Sequence, residues 1–150
     1  MKSVIVTAPN QVEIIDVPIP KPGPYQALVK TEVACLCNST DGELVRGHFP
    51  GMEKAFPFAL GHESVGVIQE VGANVRHFKV NERAVSGLVF DLGVDGIESG
   101  WGGFCEYVLA NDHEVMVQDG VADEEIKKLI LDEIEKADKD REKKIGSENF

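Results

Sequence analysis

The chain has 150 residues, the usual size of one domain, and its 43% hydrophobic and 27% charged residues are those of an ordinary globular protein. Its 26 acidic and 15 basic residues leave a formal net charge of −11. That balance excludes a nucleic-acid binder, whose phosphate partner demands a basic face, and argues against docking on an anionic membrane.

Short β-branched segments broken by Gly and Pro fill residues 1–121. The N-terminus lacks the continuous apolar core and small-residue cleavage site of a signal peptide. Strands are expected at 4–7, 13–17 and 27–33. Between the second and third lies Pro18-Ile-Pro-Lys-Pro-Gly-Pro24, whose prolines cannot donate to a ladder, so this run is expected to be a loop or a sheet edge. A short helix is predicted over 39–46, with a polar start and Gly47 as its stop. Further strands are expected at 64–71, 84–89 and 104–110. Strands of this length and spacing suggest a sandwich or a small barrel. No apolar run approaches the ~20 residues of a membrane helix.

Residues 122–150 differ in character, with 17 charges in 29 positions and no aromatic before Phe150. Ile126, Leu129, Ile130, Ile134 and Ala137 fall on one helical face. Asp123 can cap that helix, and the acidic start and basic end suit its dipole. An amphipathic helix packing on the domain or on a partner chain is therefore predicted, with a frayed end beyond residue 146.

Two segments could carry chemistry. Gly61-His62-Glu63 stands before a predicted strand and can offer an imidazole and a carboxylate to one metal ion. Cys37 ends a strand-like run and enters the polar turn Asn38-Ser39-Thr40-Asp41, where a thiolate could meet that metal. Thr40 carries a hydroxyl able to pass a proton, and Asp41 could orient a ligand histidine. Taken singly, each segment fits a satisfied histidine, or buried small side chains and a helix cap, better than a metal site. The three cysteines (Cys35, Cys37 and Cys105) are too few for a disulfide scaffold, and a reduced, cytoplasmic protein is expected.

Together the segments match a longer pattern. Gly61-His62-Glu63-Ser-Val-Gly66, followed by Gly72 and Val75, is similar to the signature of zinc-containing alcohol dehydrogenases. The run 27–37 resembles the strand that leads to the first zinc cysteine of that family. Val80-Asn-Glu-Arg-Ala-Val85 resembles its Gly-Asp-Arg-Val strand, and Gly102-Gly-Phe-Cys-Glu-Tyr107 its Gly-Gly-Phe-Ala-Glu-Tyr. Residues 1–125 thus resemble the N-terminal part of the medium-chain dehydrogenase/reductase superfamily.

The resemblance implies a mainly β fold: a GroES-like, partly open barrel over residues 1–121 with short helices, followed by the charged helix of 122–150. It implies Cys37 and His62 as zinc ligands, Glu63 as a neighbour able to bind or approach the metal, and Asp41 as the partner of the ligand histidine. The proton-relaying hydroxyl falls on Thr40 or Ser39, because one residue is inserted in the cysteine turn. Glu63 is grouped with these as a catalytic candidate.

Several family features are missing. Gly42 and Glu43 stand where a relay histidine is common, and His48 lies too far along. Residues 90–102 hold none of the four cysteines of a structural zinc lobe. No Gly-x-Gly-x-x-Gly occurs, so no Rossmann domain is expected and NAD(P) would bind only if a separate cofactor domain were supplied. The expected function is the catalytic-domain half of a zinc-dependent alcohol or polyol dehydrogenase, inactive alone. Its expected partners are a small alcohol and either a second copy or a protein carrying the missing domain. The competing expectation is a non-catalytic module that self-associates or docks through its C-terminal helix. A weaker third is metal storage or sensing through Cys37, His62 and Glu63.

Overall fold

The computed structural model describes residues 1–86 and 92–122. The predicted helix at 126–137 and the end of the predicted strand at 84–89 lie outside the described residues. The chain divides into two compact units, one of Met1–Asp112 and one from His113 onward.

The first unit is mainly β, as expected, with one short helix among its described residues. β1 (Lys2–Ala8) and β2 (Gln11–Asp16) form an antiparallel hairpin. β2 is exposed along most of its length, as an edge strand is, and the Pro-rich run after it joins no sheet. β3 (Gln26–Ala34) leads into α1 (Thr40–Arg46), close to the predicted helix. Gly47 ends α1 in the left-handed conformation at φ 72°, and the His48 N–H closes back on the Glu43 carbonyl at 2.9 Å. Then follow β4 (Phe58–Ala59), β5 (Ser64–Val71), β6 (Arg83–Ser86), β7 (Glu98–Ser99) and β8 (Tyr107–Asn111). The two-residue strands β4 and β7 have no counterpart in the sequence reading, because two residues establish no period. In the second unit, α2 (His113–Gln118) is a short helix whose Gln118 side chain donates to Glu114 at 3.1 Å.

The strands form two four-stranded sheets, ordered β2-β1-β4-β7 and β6-β5-β3-β8. The outer strands β6 and β8 approach one another, so the second sheet curls toward closure. Ala27, Val29, Ile68 and Val108 line its interior and are almost completely buried. Burying each of the larger ones contributes about 1.5–3 kcal/mol. Ile5, Ala59, Leu92 and Cys105 fill a second cluster, and Val6, Leu44, Phe58 and Leu60 a third beneath α1. A buried carboxyl fastens the loop after β5: Asp112 accepts the Arg76 and His77 N–H groups at 2.9 and 3.0 Å and meets His77 Nδ1 at 2.9 Å.

β3 and β5 are the two inner strands of the second sheet, and their pairing is irregular at two places. Beside one of them stands Gly66, opposite Thr31. A Cβ on Gly66 would lie 2.1 Å from the Lys30 carbonyl oxygen, so a methyl group cannot fit without moving backbone. Gly66→Ala is expected to lower unfolding free energy by about 3 kcal/mol, read from the urea midpoint; an unchanged midpoint would contradict the close approach. Burial pushes the Cys105 thiol up, against a partial downward pull from its 2.8 Å contact with Ser3 Oγ. In the folded protein Cys105 is therefore expected to resist iodoacetamide while exposed Cys35 reacts, as peptide mapping after brief alkylation will tell.

Candidate metal centre

Antiparallel pairing explains why two motifs far apart in the chain meet. The last residue of β3, Ala34, pairs with the first of β5, Ser64. One step outward, the Cys35 N–H donates to the Glu63 carbonyl at 2.8 Å. The chain leaving β3 therefore carries Cys37 past the His62-Glu63 pair that enters β5. Ligand atoms of Cys37, His62 and Glu63 all lie within 4.8 Å of one another. A thiol, an imidazole and a carboxylate converging in this way are a donor set suited to zinc.

Asp41 organises the group from behind. It is fully buried in the first turn of α1. One carboxyl oxygen accepts the Cys37 backbone N–H at 2.8 Å, and the other lies 3.1 Å from His62 Nδ1. A carboxylate only accepts, so the shared proton sits on Nδ1 and the Nε2 lone pair is left for a metal. Nε2 is 3.8 Å from Glu63 Oε1. The same carboxyl thus holds both the cysteine turn and the histidine ring.

The remaining site candidates are less engaged. Ser39 occupies the N-cap position of α1, exposed and without a side-chain bond to the helix. Thr40 is the half-buried first residue of that helix. His48 faces Glu43, at 3.7 Å, on the surface. Arg46 donates to Glu43 at 2.7 Å and holds that exposed carboxyl below the usual range.

Two features escaped the sequence reading. An open depression of about 290 Å³ adjoins the group, lined by Val33, Cys35, His62, Glu63, Ser64, Val65 and Val85. Trp101 also meets the His62 ring edge-on, with centroids 5.4 Å apart. Its flanking glycines, in Gly100-Trp-Gly-Gly103, were the available signal of a specially placed side chain.

The family model of the alcohol dehydrogenase GroES-like domain matches residues 23–119. An acryloyl-coenzyme A reductase from Sulfurisphaera tokodaii is 33% identical over 117 residues, which cover 77% of this chain and 34% of the relative. Human sorbitol dehydrogenase is 31% identical over 81 residues, covering 54% of this chain and 23% of the relative. Among solved structures, the short chain alcohol dehydrogenase RspB from Escherichia coli CFT073, complexed with NADH, superposes with a TM-score of 0.59 at 33% identity. That likeness covers 75% of this chain and 36% of RspB. The chain spans about a third or less of the length of these relatives.

Asp41→Asn keeps the volume but can no longer accept both the Cys37 and the His62 protons. Divalent-metal affinity is expected to fall by about 10-fold or more, measured by competition with a chromophoric chelator. Unaltered affinity would show that Asp41 does not orient the ligands.

Proposed function

Because the chain belongs to the alcohol dehydrogenase GroES-like domain family, we propose that it is the catalytic part of a zinc-dependent alcohol or polyol dehydrogenase. The observation that carries this reading is the convergence of Cys37, His62 and Glu63, with Asp41 behind the histidine. Cys37 and His62 would hold zinc, and half-exposed Glu63 would complete or exchange with the third protein position. When bound, zinc supplies Lewis acidity to a substrate alcohol oxygen. Thr40 or Ser39, at the start of α1, would pass on the alcohol proton. Asp41 keeps the imidazole in the tautomer that ligation requires.

Hydride transfer needs NAD(P) and a fold that places it. These 150 residues contain no glycine-rich phosphate turn. A nucleotide-binding domain would have to be supplied by further chain or by another protein. A second reading, a module that self-associates or docks a partner, draws on exposed Val33, Leu36 and Val85, each at 67%. The two readings differ in what depends on the metal.

The purified 150 residues are expected to bind one equivalent of zinc, and Cys37→Ser and His62→Asn to lose it. With alcohol and NAD or NADP, the same 150 residues are expected to give no turnover alone. Robust turnover would overturn the need for a second domain. Metal-independent self-association with no stoichiometric zinc, read by light scattering and metal analysis, would favour the module instead.

A further inference from the structure

We infer that Trp101 is a positioning residue for His62, one that sets the plane of the imidazole and so the strength of metal binding. The inference rests on the metal-centre reading above. Asp41 restrains one nitrogen of the ring, but a single hydrogen bond leaves the ring free to tilt about it. Trp101 supplies the second restraint, meeting the imidazole with an interplanar angle of 61°. The His62 side chain keeps only 17% of its surface exposed.

The backbone is built to deliver that indole. Trp101 sits at φ 71°, in the left-handed region that a bulky side chain rarely adopts. Conformations of this kind persist where the surroundings over-determine them, and they cluster at functional sites. Here the surroundings are explicit. The Trp101 N–H donates to Ser99 Oγ at 3.1 Å. Gly102, Gly103 and Phe104 donate in turn to the carbonyls of Ala59, Gly61 and Leu60, at 3.2, 2.7 and 3.0 Å. The loop is therefore strapped to the three residues that precede His62. The indole is also met by Phe49, T-shaped, with centroids 5.6 Å apart. It packs on the cluster of Val6, Leu44, Phe58 and Leu60. The imidazole thus meets a carboxyl from α1 and an aromatic ring from the Trp101 loop, and both α1, through Leu44, and the indole pack on the same cluster.

The test uses the 150-residue chain, Trp101→Gly, Trp101→Phe and, as a control, Cys37→Ser. Glycine relieves the positive φ and removes the wall, whereas phenylalanine keeps an aromatic ring. Trp101→Gly is expected to lower the metal-free melting temperature, through lost packing on that cluster, and, while still folded, to bind Zn²⁺ about 10-fold more weakly or worse. Its Co²⁺ visible spectrum should shift, and Trp101→Phe should recover most of the affinity and the spectrum. Wild-type Zn²⁺ affinity and an unshifted Co²⁺ spectrum in Trp101→Gly would overturn the proposal.

A measurement on the unaltered chain does not depend on a variant folding. Trp101 is the only tryptophan in the sequence. Co²⁺ should quench its emission with the same saturation curve as the visible bands, and unquenched emission at saturation overturns the proposal. If the unaltered chain binds no stoichiometric Zn²⁺, and Cys37→Ser behaves identically, the metal-centre reading itself fails. If those two differ while the Trp101 variants match the unaltered chain, only the role of Trp101 fails.

Discussion

The antiparallel pairing of β3 with β5 is the constraint on which the rest of the site depends. It places the exit of one strand against the entrance of the other. Cys37 follows the exit, and His62 and Glu63 precede the entrance, so their meeting needs no long loop to find its way. The register must hold for this to work, because a one-residue slip would turn the β5 side chains to the opposite face. The irregularities in the pairing and the contact at Gly66 lock that register. Ser64 adds a further tie by donating to the Ser86 carbonyl at 3.0 Å across the β5–β6 pair. The chemistry at the strand ends is a by-product of packing in the strand middles.

That dependence explains how the signature segment behaves. His62 and Glu63 face the site, while Gly61, Gly66 and Gly72 answer to backbone crowding instead. At Gly61 the φ of 104° and the nearness of Phe104 both forbid a side chain. A pattern that reads as a metal motif is thus, in physical terms, largely a rule about how closely chains may approach. Asp41 shows the complementary principle. Its carboxyl is fully buried, a costly place for a polar group, and the cost is offset by two well-placed partners. Truncating it would leave the Cys37 N–H and the imidazole proton unpaired together.

What was legible in the sequence follows from the range of each interaction. β1, β3 and β5 carry enough β-branched residues to announce themselves, and Gly47 marks the end of α1 through its own backbone. β4 and β7 are two-residue pairings created by the packing of other strands, so no local pattern records them. Cys37, His62, Glu63 and Asp41 were singled out only when the separated motifs were read together in order, since each segment alone also fits a satisfied histidine or a helix cap. The Nδ1 contact that assigns the tautomer needed coordinates. Trp101 was invisible as a site residue because its contact with His62 joins positions 39 residues apart through a loop whose course depends on Ala59, Leu60 and Gly61. The choice between Ser39 and Thr40 stays with chemistry, since both lie on the turn into α1.

The donors of the metal group come from two separate stretches of chain, one leaving β3 and the other entering β5. A cation gripped by both would act as a reversible clasp across the intervening 24 residues, which include α1 and β4. Such a clasp binds the folded chain and not the unfolded one, so mass action links fold to solution composition. Free metal at a hundredfold excess over its dissociation constant would add about 2.7 kcal/mol to the stability of the whole unit. With metal so bound, the endurance of this unit would become a gauge of metal supply, and a chelator would act as a denaturant for reasons unrelated to catalysis.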